Sequence, residues 1–196
     1  MPTGVAIRDV RELLFDAAER ILVGSGPSAL TSRAVTDTAG CAKGVLHRHF
    51  DDFDDFLAAF VLDRSRRLDA RTALLRDRAG RGEVVDNLTG ALTDLFDSIA
   101  VAVVALVTFR DGLRARLRRD LPAGVPVLTE AVDRIGAYLA AERDLGRLRH
   151  DTDVEALAPA LIGTAHLLFA DRTGRRPDPG AVRRAIAAAV GGALAP

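Results

Sequence analysis

Tryptophan is absent from the 196 residues, and the strand-like alternation of apolar and polar side chains is scarce. With alanine and leucine dominant, this points to an all-α chain. Cysteine occurs once, at Cys41. That excludes an internal disulfide and fits a reducing, cytoplasmic setting. An excess of one charge is also missing: 27 Lys and Arg balance 27 Asp and Glu. Nucleic-acid binders often have a basic total, so any DNA contact here must come from a local patch. Long hydrophobic runs are lacking as well. The longest, Ile99 to Val107, falls far short of the ~20 residues that a membrane helix needs. The opening MPTGVAIRDVREL carries charges and no apolar core of a leader, so no signal peptide and no membrane partner are expected.

Catalytic constellations are missing too. No glutamate has a histidine three residues on, and there is no His-Glu-x-x-His, Cys-x-x-Cys, Gly-x-Ser-x-Gly or P-loop. His47, His49, His150 and His166 are scattered. The aspartates at 51, 52, 54 and 55 open a helix and do not converge as metal ligands would. Gly24-Ser25-Gly26-Pro27-Ser28-Ala29 matches a dinucleotide-binding string only by letters, since it follows a helix and contains proline. No enzyme activity, no metal and no cofactor are expected.

What is present is helical periodicity, with 48% apolar residues to build a core. Ile7, Val10, Leu14, Ala17, Ala18 and Ile21 mark a first helix over about 7–23, stopped by Gly24, Gly26 and Pro27. Thr31 suits the N-cap of a second helix, with Ala34, Val35, Thr38 and Ala39 facing inward. Gly40 supplies a sharp turn, since it tolerates positive φ. A third short helix then covers about 42–49, with Leu46 and Phe50 inward and Lys43, Val45, His47 and Arg48 on the other face. Cys41 packs as a small hydrophobe in the turn. The next helix runs to about Ala79. Its apolar stripe is Phe53, Phe56, Leu57, Phe60, Leu68 and Leu75, and Arg64, Arg66, Arg67, Arg71, Arg76 and Arg78 line its other side. Gly80-Arg81-Gly82 is the clearest boundary. Beyond it, helices are expected from Glu83 through the apolar run, over 111–119, 126–143 and 154–171, and over 181–194.

The stretch 31–50 has the form of a helix-turn-helix, two short helices around a glycine turn. Residues 11–60 resemble the N-terminal domain of the TetR family of transcriptional regulators. Thr31, Val35, Ala39, Gly40, Gly44, Leu46, His49 and Phe50 stand at the matching places. Four positions depart from that pattern: Thr36 for Ala, Ala42 for a Ser cap, His47 for Tyr, and Phe53 for a Lys that meets phosphate. The resemblance implies a DNA-binding domain over 1–52 and a helical ligand-binding and dimerisation body over 53–196.

By matching position, the DNA-binding candidates are Thr31, Ser32, Arg33, Lys43, Gly44, Val45, His47 and Arg48. Lys43 and Arg48 suit phosphates or base edges, Val45 a thymine methyl, and the start of the second helix the DNA backbone. For a small-molecule effector, mostly apolar, the candidate pocket is Phe96, Val103, Leu106, Phe109, Tyr138, His166 and Phe169. For a homodimer, the candidate interface is Leu161, Ile162, Ala165, Leu168, Ala185, Ile186, Ala189 and Val190. The expected partners are thus an operator in double-stranded DNA, an effector and a second copy of the chain. The competing reading is a helical small-molecule or partner-binding protein that has lost DNA binding.

Overall fold

The computed structural model describes residues 3–121, 124–170 and 176–196, with side chains from residue 10 onward except 70–73 and 120. Among the described residues all regular structure is helical. Numbered along the chain, α1 spans Thr3–Ser25, α2 Ser32–Thr38, α3 Val45–His49, α4 Phe53–Thr72 and α5 Val84–Phe96. They are followed by α6 Ala100–Phe109, α7 Asp111–Asp120, α8 Leu128–Asp144, α9 Val154–Phe169 and α10 Pro179–Val190. The all-α expectation holds, and the β pairing seen is an isolated bridge between Leu148 and Leu194. No single described helix is long and apolar enough to cross a membrane. The Ile7 and Arg71 side chains, and Asp171 at the end of the helix expected over 154–171, lie outside the described residues.

The chain divides into two compact units, Met1–Ser65 with Ala102–Pro126, and Arg66–Val101 with Val127–Pro196. These units differ from the division at 52 and 53 that the sequence suggests.

In the first unit, α1 buries Leu14, Ala17, Ala18 and Leu22 on one face, together with Leu30, Val35, Leu46 and Phe50. Helices shorter than ~12–15 residues are marginal alone. At seven and five residues, α2 and α3 depend on this burial, at about 1.5–3 kcal/mol for each large apolar side chain. Phe15 gathers the rings of Phe50, Phe56 and Phe60 at 6.1, 5.7 and 5.9 Å.

Arg64 departs from the polar face expected for α4. Its side chain is 4% exposed. It pairs with Glu12, Asp16 and Glu19 of α1 and with Asp63, at 3.3, 2.7, 2.6 and 2.7 Å. A 3.6-residue period places Arg64 beside the apolar stripe that includes Phe60, and its guanidinium lies 5.6 Å from that ring centroid.

In the second unit, α5 packs on α9 and α10, and α8 packs on α9. Asp153 accepts the Ala156 amide at 3.0 Å and Asp178 accepts that of Ala181 at 2.8 Å, so both helices begin on an aspartate cap. The helix expected to run unbroken from Glu83 ends at Phe96. Ser98 donates to the Leu95 carbonyl and accepts the Ala100 amide at 3.2 Å, closing α5 and opening α6.

Of the residues expected at a dimer interface, Leu161, Ile162, Ala165, Ile186 and Val190 are buried within the chain itself, and Leu168, Ala185 and Ala189 are half-buried. The larger apolar side chains of α9 and α10 serve the unit's own core. The outer face of α9 instead carries Ala156, Pro159, Ala160 and Gly163, and Leu167 at 78% exposure.

A buried polar network completes this unit. The Glu142 carboxylate, fully buried, accepts the Gly80 amide and an Arg147 N–H, both at 3.3 Å. Asn87 donates to the Tyr138 hydroxyl at 3.1 Å and to the Arg81 carbonyl at 2.7 Å. These bonds satisfy the glycine-rich boundary at 80–82 from within.

Candidate functional site

The Thr31 hydroxyl accepts the Ala34 amide at 3.1 Å and caps α2 as its position suggested. Inside α2, Val35 and Thr36 are buried and Thr38 is exposed, so Thr36 takes the inward place expected of Thr38. The period of 3.6 puts 35 and 36 on the core side. The Thr36 hydroxyl donates to the carbonyls of Ser32 and Arg33, at 3.1 and 3.0 Å. Burial of this hydroxyl is therefore satisfied locally.

The turn after α2 is a Schellman ending. Cys41 N–H donates to the Thr36 carbonyl at 2.9 Å and Gly40 N–H to that of Asp37 at 3.2 Å. Gly40 has φ +66°, which a side chain would strain. Cys41 follows the glycine, where this motif places a small apolar contact.

Helix α3 starts at Val45 rather than near Ala42, and Lys43 and Gly44 form the turn before it. No side chain caps it, since its N-cap is Gly44 and not Ala42. Leu46 is fully buried and Phe50 nearly so. The Arg11 guanidinium lies 4.5 Å from the Phe50 ring centroid and covers it. This fixes the outward face. Lys43, Gly44, His47 and Arg48 are exposed and Val45 and His49 half-buried. The five candidates from Lys43 to Arg48 thus share one short, cationic, acid-free surface. Thr31, Ser32 and Arg33 begin α2. Arg33 pairs with Asp37 at 3.5 Å, with both side chains largely exposed. Exposed pairs contribute about 0–1 kcal/mol, so Arg33 remains available to a phosphate.

The acids that follow α3 are engaged. Asp52 accepts the Asp55 amide at 2.9 Å, and Asp55 accepts the Asp51 amide at 3.2 Å, a reciprocal cap for α4. Arg116 donates to Asp52 and lies 3.6 Å from Asp55, and Arg110 donates to Asp54. The Asp55 amide, then Arg116, hold the Asp52 carboxyl below its ordinary pKa. Neither arginine stood out in the sequence, because partners 56 and 64 residues apart leave no local pattern.

The seven pocket candidates are divided between the units, Val103, Leu106 and Phe109 in the first and Phe96, Tyr138, His166 and Phe169 in the second. Phe96, His166 and Phe169 come together, with Phe96 centroids 5.7 and 6.0 Å from the other two. Tyr138 is buried and bound to Asn87, Val103 and Leu106 are buried, and Phe109 is 65% exposed. Within the second unit a cavity of about 450 Å³ is lined instead by Leu68, Leu74, Leu75, Arg78, Ala91, Asp94, Leu95, Asp97 and Ser98. The sequence hid it because its walls come from the turn at 73–78 and the end of α5. Aromatic residues drew the expectation, and aromatics are what the core consumes. Among the described residues no cluster of His, Cys, Asp or Glu could hold a metal ion.

Residues 14–60 match the family described as bacterial regulatory proteins, tetR family. Two uncharacterised HTH-type transcriptional regulators of Mycobacterium tuberculosis are 24% identical over 151 residues, which is 77% of this chain. The match spans 60% of the length of each of these relatives. Among solved structures, reduced NemR from E. coli aligns with a TM-score of 0.76 at 16% identity, over 96% of this chain and 99% of that one. The fatty acid degradation regulator FadR of Bacillus halodurans aligns with 0.71 at 15% identity, over 92% and 98%. A transcriptional regulator of Rhodococcus sp. RHA1 aligns with 0.71 at 22% identity, over 95% and 99%.

Proposed function

We propose that this chain, a member of the TetR family of transcriptional regulators, is a repressor that binds a palindromic operator as a homodimer and leaves it when a small effector binds. The observation that carries the reading is the outward surface Lys43, Val45, His47 and Arg48 on a helix pinned from behind by Leu46 and Phe50. A short helix held by its partner and presenting cations and small apolar groups is what the major groove accepts. In this reading residues 1–52 form the DNA-binding head and 53–196 the body.

The dimer uses the outer face of α9, where Ala156, Ala160 and Gly163 allow close approach and Leu167 is 78% exposed. The effector occupies the cavity under Leu74 and Leu75. Its walls combine leucines with Arg78, Asp94 and Asp97, which suits a mostly apolar molecule with a polar end. It acts by binding the DNA-incompetent state more tightly than the competent one. The competing reading, a body without DNA binding, draws on Phe53 and Ala42, and the pairing of the aspartates beside Phe53 with Arg110 and Arg116 weakens its case.

The test is selection of genomic fragments by the purified protein, followed by footprinting. The expected result is a protected inverted repeat with half-sites about 10–10.5 bp apart centre to centre, or a multiple of that. Fragments enriched no better than with a Lys43→Ala/Arg48→Ala variant would overturn the proposal.

A further inference from the structure

We infer that Arg110 and Arg116 are positioning residues for DNA binding, which cancel the acidic start of α4 so that phosphates can approach the surface of α3 without either arginine touching DNA. This rests on the DNA-binding reading above.

Asp51, Asp52, Asp54 and Asp55 follow the last exposed cation of α3, Arg48, within seven residues. Asp52 lies four residues beyond Arg48, at most ~15 Å along the backbone. That upper limit is within about two screening lengths of ~8–10 Å at ordinary salt. Left bare, these carboxylates would set a negative field beside a surface meant for a polyanion. The chain as a whole has no excess positive charge, with 27 Lys and Arg against 27 Asp and Glu.

The structure answers with two arginines from a distant part of the chain. Arg116 spans Asp52 and Asp55, and Arg110 holds Asp54 while its guanidinium lies 5.1 Å from the Phe53 ring centroid. Their side chains are 25% and 34% exposed, so each stem is packed and its head is aimed. The approach of α7 is close. A side chain at Gly112 would collide with the Asp54 carboxylate.

Stability alone accounts poorly for this arrangement. The start of α4 is already capped through backbone amides by Asp52 and Asp55, and partly exposed ion pairs contribute little to folding. Their effect on an approaching phosphate chain is not small, because DNA sums the field over many charges.

The experiment compares binding to one footprinted fragment by the full-length wild type, Arg116→Ala, Asp52→Asn/Asp55→Asn, and the three changes combined. Asparagine caps a helix about as well as aspartate, so α4 is kept. At about 50 mM salt, Arg116→Ala should weaken binding by roughly three- to tenfold, and the difference should shrink above about 0.3 M. The double Asn variant should bind roughly threefold tighter than wild type, and the combined variant should return to wild-type affinity or better. Equal affinity of Arg116→Ala and wild type overturns the inference, as does failure of the Asn changes to restore binding. If Arg116→Ala does not fold, the double Asn variant decides, and binding no tighter than wild type overturns it. Wild type is measured first. If it binds no fragment, the DNA-binding reading falls and takes the inference with it. If it binds and the variants do not differ, only the inference falls.

Discussion

Arg64 of α4 donates its Nε to Glu19 of α1 at 2.6 Å while its own side chain is 4% exposed. Burial pulls its pKa down, but Glu19 and the neighbouring carboxylates outweigh this, and the net shift is upward. The charge therefore stays, and three acids on one face of α1 depend on it. Arg64→Ala should destabilise the protein by about 3 kcal/mol, since it empties a buried site and leaves Asp16 and Glu19 repelling one another. Arg64→Met keeps the packing and should cost less. Urea unfolding followed by circular dichroism would read both. Equal stability of Arg64→Ala and wild type would show that the cluster contributes nothing.

That pairing also marks how far the sequence could be read. The helix-turn-helix was legible because its signals are local: a threonine cap, a glycine that must take positive φ, and Leu46 and Phe50 spaced to face one core. The caps at Asp153 and Asp178 are local too. Arg64, Arg110 and Arg116 looked like solvated cations, because their partners lie 45 to 64 residues away. The outer face of α9 drew no attention for a related reason. Periodicity identifies the apolar side of a helix but does not say whether its own chain or a second one covers it. The cavity at Leu74 and Leu75 gave no signal, since Arg78, Asp94 and Ser98 become walls only when the turn at 73–78 folds beside α5.

Lys43 and Arg48 are exposed and no ion pair with either was found among the described residues. Lys43→Ala and Arg48→Ala should each weaken operator binding without lowering the melting temperature. If a residue meets a phosphate, its loss lowers the slope of log affinity against log salt by about 1. If it reads a base edge, its loss instead costs about 1–3 kcal/mol at one base pair and relaxes preference there. Fluorescence anisotropy on the footprinted fragment and on single-base variants of it separates the two roles. Unchanged affinity for both substitutions would remove α3 from the interface.

Tyr138 gives a pH prediction of definite sign. Burial, then its bond to Glu142, raises its pKa above the ordinary 10.0, against a smaller opposing effect of Asn87. The folded state thus keeps the phenolic proton in a range where the unfolded chain has lost it. Stability from this group is complete below about pH 10 and declines as pH rises from there toward the folded value. Tyr138→Phe should flatten that alkaline decline. It should also cost about 1–3 kcal/mol at neutral pH, because Asn87 and Glu142 each lose a partner. As the chain has one tyrosine, phenolate absorbance follows this residue alone. A midpoint at 10 in the folded protein would contradict the buried network.

Leu167 and Leu161 lie on opposite sides of α9, at 78% and 0% exposure, and they should fail in different ways. Leu167→Glu places a charge on the outer face beside Ala160 and Gly163, where the proposed dimer would bring a second copy. It should yield a folded monomer by analytical ultracentrifugation at micromolar concentration, with helix content unchanged and operator affinity reduced. Leu161→Ala should leave the association state alone and lower stability by about 2–5 kcal/mol, the range for a buried leucine cut back to a cavity. If Leu167→Glu remained dimeric, the second copy would have to sit on another surface. If Leu161→Ala dissociated the dimer without loss of stability, the inward register of α9 would be wrong.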